Sequence, residues 1–218
     1  MAIYAGFDLG ASQLKYGLIN SQGKILFHSS APTPPLIEEL IRLLKKCWIN
    51  LKQQSKSKIT CCGFGFPGIF SLRAQKIINS PNYPQLNGFA LQPALYQFID
   101  VPYWINNDAN LAALAEFKLG AGQGTKSMIL LTIGTGVGTG LILEGKLWQG
   151  KCGFGGELGH APVNPSGERC PCGSYGCLET EVSAAKIIKN YKSIRNINYK
   201  ITAEEVYKRA KRGDQTAL

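Results

Sequence analysis

The sequence predicts an α/β protein of two domains that repeat one plan. Three observations carry this. A strand, a short turn and two further strands across residues 3–29 recur across residues 127–150, the second time around a glycine-rich turn. Runs with helical spacing separate the strand groups. The 218 residues are 44% hydrophobic and 17% charged, enough to bury a core and too apolar for a disordered chain.

Taken in order, IYAGFDL, LKYGLIN and KILFHS are joined by turn-forming residues at 10–13 and 21–23 and predict an antiparallel meander. Leu36, Ile37, Leu40, Ile41, Leu44, Trp48 and Leu51 recur at helical spacing after the proline-rich stretch Pro32 to Pro35, which is expected to open that helix. KITCCGFGF and YWIN read as strands. ANLAALAEFKLGAG follows as a helix with Asn107 or Asp108 as N-cap and Gly120 as its stop. SMILLTIG, TGLILEG and KLWQG restart the strand pattern, and helical runs are expected over 180–193 and 202–212. The expected domains are 1–118 and 119–218, hinged near 118–126, the second carrying a Gly- and Cys-rich insertion over 150–179.

Charge and cysteine use narrow the function. Lys plus Arg number 24 against 14 Asp plus Glu, a net charge of +10. The lysines are dispersed along amphipathic helices, at 45–58 and 186–211, and read as solvated faces and not as a nucleic-acid surface. No apolar run of eighteen residues and no basic, then apolar leader occurs, so the expected place is the cytoplasm, with no membrane partner. Of seven cysteines, Cys47, Cys61 and Cys62 read as buried small hydrophobes and Cys152 lies in a glycine-rich loop. The other three crowd into CPCGSYGC, a spacing that suits a metal better than a disulfide framework.

Two glycine-rich turns stand at equivalent places in the repeat, DLGAS at 8–12 and GTGVGTG at 134–140. Small residues let backbone N–H groups approach an anion, but a hairpin turn is the better account of either taken alone. As a pair facing one cleft they suit a polyphosphate, as in proteins of the actin and hexokinase type, with Asp8 available to Mg2+. Gly10, Ser12, Gly134, Thr135 and Gly136 are the candidate phosphate contacts. Asp108 would open a helix, where it serves as a cap, as a general base for an attacking hydroxyl, or as both.

His160, Cys170, Cys172 and Cys177 supply the Cys3His set of a closed tetrahedral zinc site, structural because no position is left for water. A reduced, metal-free loop is the alternative. Glu157 and Glu179 flank this segment and can accept hydrogen bonds from the hydroxyls of a sugar.

DLGAS, GFGFPG, SPNYPQLNGF, INNDANLAALAE, GTGVGTGLI, GGELGH and CPCGSYGCLE resemble, in order and spacing, the ROK family of repressors, open reading frames and sugar kinases, most of all its glucokinases and hexokinases. The resemblance implies a two-domain actin/hexokinase-like (ribonuclease H-like) fold with an interdomain cleft, and phosphorylation of a hexose by ATP with Mg2+, most of all glucose to glucose 6-phosphate. It implies that Asn107, Asp108, Glu157, His160 and Glu179 line the sugar pocket with Asp108 as general base, and that His160 also joins the cysteines on Zn2+. Lys15 resembles the arrangement in polyphosphate-using glucokinases, so polyphosphate stands beside ATP as a candidate donor. Family kinases continue past the point matching Leu218, so the second domain is expected to be incomplete. The competing expectations are a catalytically inactive sugar- and zinc-binding remnant and a sugar-responsive repressor. A homodimer is compatible with each.

Overall fold

The computed structural model describes residues 2–71, 73, 74, 76–81 and 83–218; Asn82 of the SPNYPQLNGF segment lies outside them. Strands β1 (Ile3–Leu9), β2 (Gln13–Asn20) and β3 (Ile25–Pro32) form the expected antiparallel meander. Pro32 closes β3 opposite Gln13 and does not open the helix as expected. A proline is tolerated there because β3 is an edge strand, where a missing N–H costs no ladder bond.

Helix α1 (Ile37–Gln54) has Glu38 and Glu39 in its first turn and Lys52 in its last, each favourable to the helix dipole. Its Leu40, Leu44, Cys47, Trp48 and Leu51 are buried in one core with Phe7, Leu14 and Leu18 of the sheet. Burying each such side chain stabilises the fold by roughly 1.5–3 kcal/mol. The indole N–H of Trp48 is satisfied by Asp100 Oδ1 at 3.1 Å, and Lys52 Nζ reaches the same carboxylate at 3.2 Å.

Strand β4 (Ile59–Phe66) pairs in parallel with β1. Phe64 stacks on Phe7, ring centroids 4.7 Å apart and ring planes nearly parallel. Between β4 and the next long strand lie short elements that the sequence pattern does not announce: strands β5 (Ile69–Ser71) and β6 (Lys76–Asn79), a 3-10 turn (Pro84–Leu86) and helix α2 (Leu91–Tyr96). Strand β7 (Tyr103–Asn107) then pairs in parallel with β4, completing a sheet of order β3-β2-β1-β4-β7. Helix α3 (Asp108–Leu119) follows without a break and ends at Gly120, as expected.

Strands β8 (Met128–Ile133), β9 (Val137–Leu143) and β10 (Lys146–Trp148) form a second sheet of order β10-β9-β8. Residues 137–140 of the GTGVGTG run are therefore strand, and only 134–136 form the turn. Beyond a loop-rich stretch come α4 (Leu178–Val182), α5 (Ala184–Arg195) and α6 (Ala203–Lys211). The helical run expected over 180–193 is two helices, divided at Ser183, whose extended backbone breaks the helical path. Tyr191, Ile201 and Val206 make a small core around α5 and α6.

The chain divides into two compact units, Met1–Ile129 with Gly140–Gly155, and Leu130–Thr139 with Gly156–Leu218. No helix among the described residues is long and apolar enough to cross a membrane. Cys47 and Cys62 are buried as expected, Cys61 is half-buried and Cys152 is exposed. Burial raises the thiol pKa of Cys47 and, far more, of Cys62. Lys186 departs from a solvated helix face: its side chain is only 15% exposed and pairs with Glu168 at 3.1 Å.

Candidate active site

In the first unit, the parallel strands β1, β4 and β7 end level with one another. Asp8 is in register with Gly65, and Gly65 with Asn106. In open α/β sheets this carboxyl edge is where ligands bind. The step from β7 into α3 places the next groups. Asn107 is the N-cap: its Oδ1 accepts the Asn110 N–H at 3.1 Å while its Nδ2 donates to the Gly68 carbonyl at 2.9 Å. Asp108 is therefore the first helical residue and not the cap. Its Oδ1 accepts the Ala109 N–H at 2.9 Å. Burial pushes its carboxyl above the usual carboxylate range; the Ala109 N–H opposes this and the charge of Asp8 adds to it. A carboxylate so placed is more basic than an exposed one, as a general base needs to be.

Asn106 holds this arrangement and was not anticipated. Its Oδ1 accepts three hydrogen bonds, from the Asn107 N–H at 2.8 Å, Asn110 Nδ2 at 3.2 Å and Gln149 Nε2 at 3.0 Å. The i, i+4 spacing of Asn106 and Asn110 was the available signal.

The first glycine turn is the β1–β2 hairpin. Gly10 spends its N–H on the Gln13 carbonyl at 2.8 Å, and Thr33 Oγ1 holds the Gly10 carbonyl at 2.8 Å. The N–H groups of Ala11 and Ser12 have no partner among the described residues, so they and not Gly10 offer the donors. Lys15 Nζ stands 4.0 Å from Asp8, with both side chains mostly exposed, a pair that contributes little to stability.

In the second unit the Gly134 N–H closes the turn on the Gly136 carbonyl at 2.9 Å. Glu179, half-buried at the start of α4, accepts the Val137 N–H through Oε2 at 3.0 Å. Glu157 is exposed and opens the 3-10 turn Leu158–His160, where its carbonyl accepts the His160 N–H at 3.0 Å.

The expected metal ligands come together. The donor atoms of His160, Cys170, Cys172 and Cys177 all lie within 4.8 Å of one another. Cys172 Sγ is 3.6 Å from Cys177 Sγ, and Cys170 Sγ is 3.6 Å from His160 Nδ1. A tetrahedral shell with metal–sulfur bonds of ~2.3 Å has edges of about 3.8 Å, so the four residues fit one ion. Gly176 makes the knuckle possible: its φ is +59°, and a Cβ there would fall 1.5 Å from the Asn164 carbonyl oxygen. Its carbonyl accepts the N–H groups of both Val163 and Asn164. Outside the knuckle, Glu168 joins Lys186 and Lys189 of α5 at 3.1 and 2.7 Å.

Comparison with known proteins bears on these features. The ROK family model matches residues 4–218. The glucokinase of Thermotoga maritima is 32% identical over 98% of this chain and 71% of its own length. The xylose repressor of Caldicellulosiruptor bescii is 31% identical over 87% of this chain and 48% of its own. A ROK family glucokinase from Streptomyces griseus, solved in complex with glucose and AMPPNP, superimposes with a TM-score of 0.85 at 28% identity, over 99% of this chain and 73% of that one. The chain thus spans between about half and seven-tenths of the length of these proteins. With the motifs in family order, the α/β architecture of the actin and hexokinase type and a family match across nearly every residue, the chain belongs to the ROK family.

Proposed function

We propose that the chain serves the transfer of a phosphoryl group from ATP to a hexose, glucose to glucose 6-phosphate, with Asp108 as general base. The observation that carries this is the carboxylate itself. It stands at the carboxyl edge of parallel strands, half-buried, with its basicity raised, and Asn106 and Asn107 fix the turn that presents it. Asp108 takes the proton of the attacking hydroxyl, the hexose oxygen bonds to the terminal phosphorus, and the bond to the bridging oxygen breaks to release ADP. Asp8 supplies the carboxylate for the Mg2+ that accompanies the nucleotide. Ala11, Ser12 and Lys15 in one proposed domain, 1–118, and Thr135 and Gly136 in the other, 119–218, serve the phosphates, while Gly10 and Gly134, whose N–H groups close their own turns, shape the two loops.

Asn107, Glu157, His160 and Glu179 join Asp108 as hexose contacts in this reading. Zinc is the metal that suits His160 with Cys170, Cys172 and Cys177, and four protein ligands make it a structural ion. Seven unpaired cysteines suit a reducing compartment, which supports the cytoplasm as its location.

The identity to a xylose repressor favours a second reading, sugar binding without transfer. Glucose 6-phosphate formation that requires glucose, Mg2+ and ATP together, and that is lost in Asp108→Asn, is the expected result. Glucose bound by the protein with no product from ATP or polyphosphate would overturn the kinase reading in favour of the second.

A further inference from the structure

Glu179 has a role that sugar binding does not explain. Its Oε2 accepts the Val137 N–H at 3.0 Å, a charge-assisted bond to the residue that leaves the second glycine turn. The turn has no room for anything larger than glycine beneath that carboxylate: a Cβ on Gly136 would lie 2.2 Å from Oε2 and 3.8 Å from Oε1. A second tether runs from the same segment, where the Ala184 N–H donates to the Gly134 carbonyl at 2.9 Å. From the other side of the knuckle, Gly159 lies so close that a Cβ there would fall 2.2 Å from the Val137 carbonyl oxygen. The segment that bears Glu179 is itself held, since the Leu178 N–H donates to the Ala161 carbonyl at 2.9 Å and Cys177 forms a β-bridge with Pro162.

We propose that Glu179 is a positioning residue that clasps the Gly134–Gly136 turn to the cysteine knuckle, so that the two behave as one rigid piece. Oε2 is committed to the backbone, and Oε1 has no protein partner among the described residues. One carboxylate therefore serves two masters. It sets the turn through Oε2 and leaves Oε1 for a hydroxyl of the hexose. The use of the clasp in transfer rests on the hexose-kinase reading above; the clasp itself does not.

The test is amide hydrogen exchange at Val137, followed by NMR in the metal-loaded, sugar-free protein. In Glu179→Ala the Val137 N–H loses a hydrogen bond to a charged acceptor, and its exchange should accelerate about tenfold or more. Glu179→Gln keeps an acceptor oxygen and should restore most of the protection. Gly136→Ala reaches the same bond from the other side. The atom it displaces is the far end of a flexible side chain, so the fold should persist while the clasp opens and Val137 exchanges as in Glu179→Ala. Val137 exchange as slow in Glu179→Ala as in the wild type, or Glu179→Gln exchanging as fast as Glu179→Ala, would overturn the proposal. Adding glucose separates the two readings. A further slowing at Val137 in the wild type, absent in Glu179→Ala, is expected; failure of glucose to bind the wild type while the sugar-free differences stand would count against the hexose reading alone.

Discussion

Replacing Asp108 by asparagine should separate folding from chemistry. The change removes a charge and a basic oxygen but keeps an Oδ1 that can accept the Ala109 N–H at 2.9 Å, and it leaves the cap formed by Asn107 untouched. Two electrostatic effects then oppose each other. Loss of a carboxylate from the first turn of α3 forfeits about 0.3–1 kcal/mol of interaction with the helix dipole. Against this, the variant no longer buries a charge beside Asp8, the two causes that raise the Asp108 pKa. The net change should stay within about 1 kcal/mol, or ~4 °C in Tm for a chain of this size.

Its pH dependence has a definite sign. A carboxyl whose pKa is raised by folding binds a proton more readily in the native state, so its contribution to stability is greatest in acid and is lost as pH rises through the raised value. Asp108→Asn should therefore compare best with the wild type near neutrality and worst in acid. Phosphoryl transfer should fall by about 10²–10⁴-fold, the usual yield of general-base catalysis. The wild-type rate should also decline as pH drops through the raised pKa, and the residual rate of the variant should not. Calorimetry at several pH values and a coupled assay of glucose 6-phosphate give both readouts. A variant rate within about tenfold of the wild type would refute the assignment of Asp108 as the base.

The protein should bind one zinc per chain, and Cys172→Ser should lower the metal content measured by elemental analysis and expose residues 157–179 to protease while the β1–β4–β7 sheet persists. Gly176→Ala should have the same consequence without touching a ligand, because the added methyl strikes the Asn164 carbonyl and φ is in the left-handed region; full metal content in that variant would refute the steric reading. Leu44→Ala, at a fully buried position of α1, should cost about 2–5 kcal/mol, read as a fall in Tm of roughly 5–15 °C.

The long elements were legible because burial imposes a period on them. Leu40, Leu44, Cys47, Trp48 and Leu51 face one core and recur accordingly, and β1 alternates Ile3, Ala5, Phe7 and Leu9 inward. Strand β5, three residues long, and helix α2, six residues long, are too short to establish any period, and they rest on tertiary packing of Phe70, Leu91 and Leu95. The knuckle could be read from ligand spacing alone, since chemistry fixes both residue type and geometry. What spacing could not reveal was which polar atoms are already engaged. Gly10 is the most glycine-like part of the first turn, yet its N–H is consumed by the turn, and Asn106 looks like any asparagine before a helix although three donors converge on its oxygen. Such pairings depend on atoms brought together from distant parts of the chain, as Gln149 is to Asn106.

Trp48, bonded to Asp100 inside the α1 core, has a spectroscopic consequence. The other two tryptophans, Trp104 and Trp148, are 63% and 46% exposed, and all three belong to the first unit. Blue-shifted tryptophan emission should therefore report one event, the opening of the core around α1. The second unit contains tyrosines but no tryptophan, so loosening of the cysteine knuckle by a chelator should be dark to that signal and visible in far-ultraviolet circular dichroism. A titration in which the two probes part company would measure the independence of the two units directly.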